Sequence, residues 1–145
     1  MFVDMGYADD AAMTIAQQHS HSYFARALDA GTYRGWLAVD ASGRVIGGGG
    51  IVLSEKPSHP RHPSLLRADI LNVFTEPEHR RHGVARLLVE TMIAWCRESG
   101  FLWITLHASR DGRPLYEALG FKPSAEMRLD LTPHHNETNT PKGAA

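Results

Sequence analysis

"EPEHRRHGVARLLVE", residues 76–90, decides how this chain folds. From Val84 the apolar residues Leu87, Leu88, Met92 and Trp95 recur at helical spacing and Gly100 closes the segment, which predicts a helix over 81–99. Its first turn carries Arg80, Arg81 and His82, with Arg86 one turn on. A helix start exposes free N–H groups and a partial positive charge, so cations are unwelcome there by about 0.3–1 kcal/mol each. One charge-assisted hydrogen bond to an anion, at roughly 1.5–3 kcal/mol, reverses that cost. Gly83 lets the backbone come close to a ligand without a Cβ in the way. The cluster therefore reads as a polyanion site, and a pyrophosphate suits the forked donors of arginine. A solvated surface turn is the plain alternative.

The flanking sequence gives the cluster its setting. "LLRADILNVFT", residues 65–75, reads as a buried strand ended by Glu76 and Pro77, and "FLWITLHA", residues 101–108, as a second core strand. Strand, helix and strand in that order imply parallel neighbours joined by a right-handed crossover. Upstream, "YRGWLAVDASGRVIGGGGIVL" predicts a hairpin turning at Ala41–Gly43, with a second strand over 44–53. Gly47–Gly50 signals either a bulge or the close passage of a ligand or another backbone. "DDAAMTIAQQHSHSYFARALDAG" predicts two short helices or one broken one, with Asp9 or Asp10 as N-cap and Gly31 as stop. Residues 54–64, with three prolines, form a surface loop; residues 111–120 a short helix; residues 125–131 a last strand. The expected fold is α/β: a mixed, mostly antiparallel sheet flanked by helices around a central parallel strand–helix–strand core. Residues 1–131 make one domain and residues 132–145 a disordered tail.

Composition narrows the function. The chain has 145 residues, 43% hydrophobic and 21% charged, with a net charge of −1 and a pI of about 6.7. No global field draws it to nucleic acid or to anionic lipid, so the basic turn is a local device. No apolar run approaches the roughly 20 residues of a membrane span. "MFVDMGYADD" lacks the order of a signal peptide, and Cys96 is the only cysteine, so a cytoplasmic location is expected. Neither the P-loop pattern nor G-x-G-x-x-G occurs. The nine histidines lack a zinc-binding context and read as surface residues; Cys96, Met13, Met92 and Met127 read as packing residues.

Arg80-x-x-Gly83-x-Ala85 resembles the (Q/R)-x-x-G-x-(G/A) acetyl-CoA loop of the GNAT N-acetyltransferase superfamily, bacterial small-molecule type. "VFTEPEHRRHGVARLLVETMIAWCRESG" is similar to that family's strand–loop–helix core, and "RPLYEALGFKP" to its C-terminal "LYxxxGF" signature. The resemblance covers residues 34–131. It implies that the main chain of Val73, Phe74 and Thr75 holds the pantetheine arm as an added strand would be held. It implies that the backbone from Arg80 and Arg81 through His82, Gly83, Val84 and Ala85 to Arg86 takes the pyrophosphate of acetyl-CoA. Tyr116 matches the tyrosine that serves as general acid beside the CoA sulfur. Ser109 stands where many relatives carry an asparagine that contacts the pantetheine arm. Relatives also open with a strand that precedes the start of this chain; the edge left open predicts a homodimer.

The resemblance thus implies an acetyl-CoA-dependent N-acetyltransferase for a small-molecule primary amine, by direct attack in a ternary complex. A CoA-binding sensor without turnover and a protein or peptide N-acetyltransferase are the alternatives. For the base that deprotonates the amine, three routes stay open: Asp69 on the strand, His107 on its neighbour, or ordered water. Glu76 could instead cap the loop after the strand. A backbone N–H near Val73 would stabilise the oxyanion.

Overall fold

The computed structural model describes residues 11–60, 63–129 and 131. Helix α1 spans Ala11–Asp29, followed by β1 (Tyr33–Val39), β2 (Val45–Glu55), β3 (Leu66–Thr75), α2 (Val84–Glu98), β4 (Ile104–Leu106) and α3 (Arg113–Ala118). The sheet order is β1-β2-β3-β4, antiparallel for the first two pairs and parallel for β3 with β4. That is the expected mixed sheet with its parallel crossover through α2.

The α1 segment is one continuous helix rather than two. The expected caps Asp9 and Asp10 lie outside the described residues. Three helices end alike: the N–H groups of Thr32, Phe101 and Phe121 each reach back to a carbonyl five residues earlier, at 2.9–3.0 Å, just after Gly31, Gly100 and Gly120. All three glycines have positive φ, the left-handed close that a side chain would strain. The hairpin turns on Asp40, whose carboxylate accepts the Ser42 hydroxyl and the Ser42 and Arg44 N–H groups. The hydrogen bond from Ser42 leads in holding the Asp40 pKa below its ordinary value.

Helix α2 lies across one sheet face and supplies most of the core. Leu88, Val89, Met92, Ile93 and Cys96 are buried against Ile51, Ala68 and Ile70. Trp36 and Trp95 meet edge-on at 5.7 Å beside this cluster. Leu87, expected on the same stripe, is 62% exposed instead. The helix starts at Val84, so the stripe runs through 88, 89, 92, 93 and 96, and Leu87 falls on its rim. Cys96 is fully buried, and desolvation pushes its thiol up to about 11, so it packs and does not react.

The glycine run is buried, and what crowds it is this chain. An added Cβ at Gly49 would meet the Met92 methyl at 2.8 Å, and one at Gly47 the Phe74 carbonyl at 2.9 Å. The register also slips here: Gly48 pairs with Phe74 and Gly50 with Leu71, leaving Gly49 opposite both Asn72 and Val73. The bulge therefore belongs to β3, where Asn72 takes φ +56°.

Two expectations fail at the C-terminal end. The described residues of 125–131 form no strand, and Met127, expected to pack, is 96% exposed. Leu129 and Leu131 are exposed as well, and no strand pairing joins the described residues of that segment to the sheet. Alternation in sequence supplies a face but not a partner strand. The 101–108 strand shortens to the three residues that pair with β3.

Candidate functional site

The site begins where two parallel strands part. β4 pairs with β3 only at Ala68, Asp69 and Ile70, through Ile104, Thr105 and Leu106. β3 continues another five residues to Thr75 while still paired to β2 on its other side. From Leu71 to Thr75 its second edge has no strand beside it among the described residues. Val73, Phe74 and Thr75 lie on that edge, just past the Asn72 bulge. Asn72 was not singled out in the sequence, although an Asn inside the apolar run "ILNVF" is a usable signal, since Asn tolerates positive φ better than its neighbours do.

The chain then turns through Pro77–His79 into the basic segment. The Glu76 N–H bonds the Ile46 carbonyl at 2.9 Å, tying the turn to β2. The Arg80 Nε–H donates to the Thr75 carbonyl at 3.1 Å, so this guanidinium braces the turn to the end of β3. Arg81 and Gly83 both take positive φ, +65° and +85°. For Arg81 that conformation costs on the order of 1–2 kcal/mol. An added Cβ at Gly83 would meet nothing, so glycine answers a backbone need there and leaves open space above it. Val84, Ala85 and Arg86 open α2 with Gly83 as N-cap and no side-chain cap. Their N–H groups are the unsatisfied donors of a helix start. Arg81, His82 and Arg86 are exposed around them, and Arg86 also makes an exposed pair with Glu90 at 3.4 Å. The first basic residues thus precede the helix instead of lying in its first turn.

Tyr116 lies on α3 and packs against the core. It lines a cleft of about 880 Å³ between the C-terminal half of α2, β4, α3 and the segment after Phe121. None of the residues of the basic turn lines that cleft; His107 does. The Tyr116 ring packs edge-on to Phe121 at 5.9 Å and against the core. Burial raises its pKa above the ordinary phenol value, so it carries its proton throughout the neutral range. Ser109 is close by, and its hydroxyl accepts the Gly112 N–H at 3.1 Å in the turn that precedes α3. An added Cβ at Gly112 would lie 3.0 Å from the Tyr116 ring and 3.2 Å from the Ser109 oxygen, so one tight corner positions both.

The base candidates separate. Asp69 is on β3 opposite Thr105, whose hydroxyl donates to its carboxylate. His107 is exposed, 4.0 Å from Glu126, and both line the cleft that holds Tyr116. Sequence reasoning missed Thr105, and only the register could have found it.

This arrangement matches known proteins along most of the chain. The model of the Acetyltransferase (GNAT) family matches residues 6–121. The structure of a GCN5-related N-acetyltransferase from Ralstonia eutropha superposes with a TM-score of 0.80 at 33% identity, over 90% of this chain and 85% of that chain. That of a predicted acetyltransferase with acetyl-CoA from Clostridium acetobutylicum gives 0.82 at 25% identity, over 92% and 85%. N-acetyltransferase 8 of Homo sapiens is 30% identical over 63 residues, 41% of this chain and 28% of that protein. The protein of the same name from Rattus norvegicus is 25% identical over 100 residues, 66% and 42%. The chain spans less than half the length of the curated relatives it matches. No described helix is long and apolar enough to cross a membrane. By the extent of the family match and the agreement in fold, the chain belongs to the acetyltransferase (GNAT) family.

Proposed function

We propose that the protein transfers the acetyl group of acetyl-CoA to a primary amine of a small molecule, by direct attack while both are bound. The observation that carries this is the parting of β3 and β4 immediately before the basic turn. A pantetheine arm laid along Leu71–Thr75 would find main-chain donors and acceptors there, as an added strand does. Its pyrophosphate would then meet the N–H groups of Val84–Arg86 and the side chains of Arg81 and Arg86. The Thr75 hydroxyl fits the same picture, being buried without a hydrogen-bond partner in the protein.

Acetyl-CoA supplies an activated thioester carbonyl. The residues supply position and protons. A backbone N–H at the Asn72–Val73 bulge donates to the carbonyl oxygen as the amine nitrogen bonds to its carbon. As the C–S bond breaks, the Tyr116 hydroxyl donates its hydrogen bond to the departing sulfur and passes it a proton. Because the thiol, at about 8.5, is the stronger acid of the two, the phenolate must regain a proton from solvent to complete the step. The attacking amine loses its proton to Asp69 or to water held by it. Ser109 holds the turn that leads into α3, the helix that carries Tyr116. Residues 1–131 act as one unit, and pairing of two copies at an open sheet edge belongs to the same proposal.

Calorimetry with acetyl-CoA at modest salt tests the binding half and should show heat that weakens as salt rises. Thiol release with a panel of amines tests the transfer half. Binding without turnover on any small amine, with or without activity on peptides, would replace the small-molecule reading by the protein-acetylating or the sensor one.

A further inference from the structure

The sheet face that α2 leaves uncovered carries a feature the cofactor site does not use. Side chains alternate between faces along a strand, and Gly49 faces α2, so Gly48 and Gly50 face away. The register places Tyr33 and Gly35 of β1 on that outer face, along with Asp69 and Leu71 of β3. An added Cβ at Gly50 would lie 2.1 Å from the Tyr33 hydroxyl oxygen and 2.3 Å from the ring carbon bearing it. One at Gly35 would lie 3.4 Å from the ring's other edge. The Tyr33 ring therefore lies flat over a floor of two glycines, reaching from β1 across β2.

Its direction matters. Phe24 of α1 packs against the ring at 4.7 Å between centroids. The hydroxyl end lies over Gly50, whose partner on β3 is Leu71, the residue just before the Asn72 bulge. In the same row Val52 pairs with both Tyr33 and Asp69, so those two residues stand two strand spacings apart, about 10 Å between Cα atoms. The ring leaves that row on a diagonal, and its hydroxyl lies one row along, over Gly50 and beside Leu71. The Asp69 carboxylate is fixed from the far side by the Thr105 hydroxyl. The other charge on this stretch of β3, Arg67, turns its guanidinium back to the carbonyls of Ser64 and Leu66. A phenol oxygen and one carboxylate thus flank the bulge at which acetyl transfer is proposed, with the half-buried Tyr33 ring packed on the glycine floor and against Phe24.

We propose that Tyr33 is an acceptor-binding and specificity-determining residue, taking a primary amine carried on an aromatic or alkyl stem without acidic groups. The stem packs along the exposed part of the ring, the amine lies between the phenol oxygen and Asp69, and Gly50 is the position that lets the ring lie down. This rests on the acetyl-CoA assignment, and the test separates the two.

Calorimetry with conjugates serves, since it needs no turnover: phenethylamine or glutamate joined through an acetyl bridge to the sulfur of CoA, compared with CoA itself. In the wild-type protein the phenethyl conjugate should bind about tenfold tighter than CoA, and the glutamyl conjugate no tighter. Tyr33→Ala should abolish the gain and Tyr33→Phe reduce it, both with CoA affinity unchanged; Gly50→Ala, which displaces the ring, should behave as Tyr33→Ala. Circular dichroism and thermal melts establish that each variant is folded, and Tyr33→Ala adds no bulk anywhere. An equal gain in wild type and Tyr33→Ala overturns the proposal while leaving the cofactor site standing. Absence of heat with CoA in the wild type overturns the cofactor site beneath it.

Discussion

The two walls of the site are built differently. One wall, β3 with α2, is a ten-residue strand paired to β2 from end to end except at the Asn72–Val73 bulge and backed by a helix with five buried residues. The other, β4 with α3, is three residues of strand and six of helix, and no residue of either is buried. The first wall holds the backbone groups proposed to bind the cofactor; the second holds Tyr116, proposed to protonate the leaving thiol. Binding needs many fixed donors and so sits on the rigid wall. Proton delivery needs one hydroxyl, and a short helix can position it. The two walls should therefore fail in different ways when damaged.

Tyr116→Phe is the sharpest break. It should lower kcat by about 10²–10⁴-fold, the usual worth of a positioned general acid, with the calorimetric affinity for acetyl-CoA unchanged. A parallel loss of affinity would show that Tyr116 packs the cofactor wall instead. Met92→Ala acts on the rigid wall and should cost about 2–5 kcal/mol of stability, read by chemical denaturation, since Met92 is fully buried between α2 and the glycine run.

Cys96 adds a pH signature to that same wall. Its folded thiol is raised to about 11 from an ordinary value of 9.0. The unfolded chain gives up that proton first, so the stability Cys96 contributes is complete below pH 9 and declines as pH rises toward 11. Denaturation curves at pH 8 and pH 11 should differ more for wild type than for Cys96→Ala, by up to about 1.4 kcal/mol per pH unit. Gly83→Ala is smaller again. It adds a Cβ at φ +85° in open space, so the cost is backbone strain of about 1–2 kcal/mol and a weaker hold on acetyl-CoA, with kcat little altered.

The rigid wall was legible in the sequence because its determinants are local. Helix spacing from Val84, a glycine at a turn that needs positive φ, and arginines in an unfavourable field are each visible within ten residues. The parallel crossover followed from element order. What escaped was set by pairing across strands. The Thr105–Asp69 contact, the Tyr33 ring over Gly50 and the placing of the bulge on β3 all depend on register, which the sequence states only once the strands are aligned. The 125–131 expectation failed for the same reason: "AEMRLDL" has the period of a strand, yet a period does not name a partner, and its described residues pair with none. Asn72 lay between these cases, a polar residue in an apolar run whose meaning needed the bulge to be seen.

The smallest effect concerns how the basic turn is braced. Arg44, at the end of the hairpin, pairs with Glu78 in the turn before Arg80, and both side chains are more than half exposed. Glu78 has its pKa lowered first by its own backbone N–H and then by Arg44. Exposed pairs of this kind contribute little to stability and are screened by salt. Glu78→Gln should therefore leave the melting temperature unchanged. Its effect should appear in the affinity for acetyl-CoA, and there two influences oppose each other. Removing an acidic group beside a polyanion site strengthens the attraction, whereas loosening the turn weakens the preorganised N–H groups. The backbone bond from Glu76 to Ile46 and the Arg80 bond to Thr75 remain in place, so the turn keeps its shape and the electrostatic effect wins. Affinity should rise slightly at low salt and match the wild type at high salt. A fall in affinity that persists at high salt would mean that the Arg44–Glu78 pair, rather than the backbone, holds the turn, and the rigid wall would then end at Thr75.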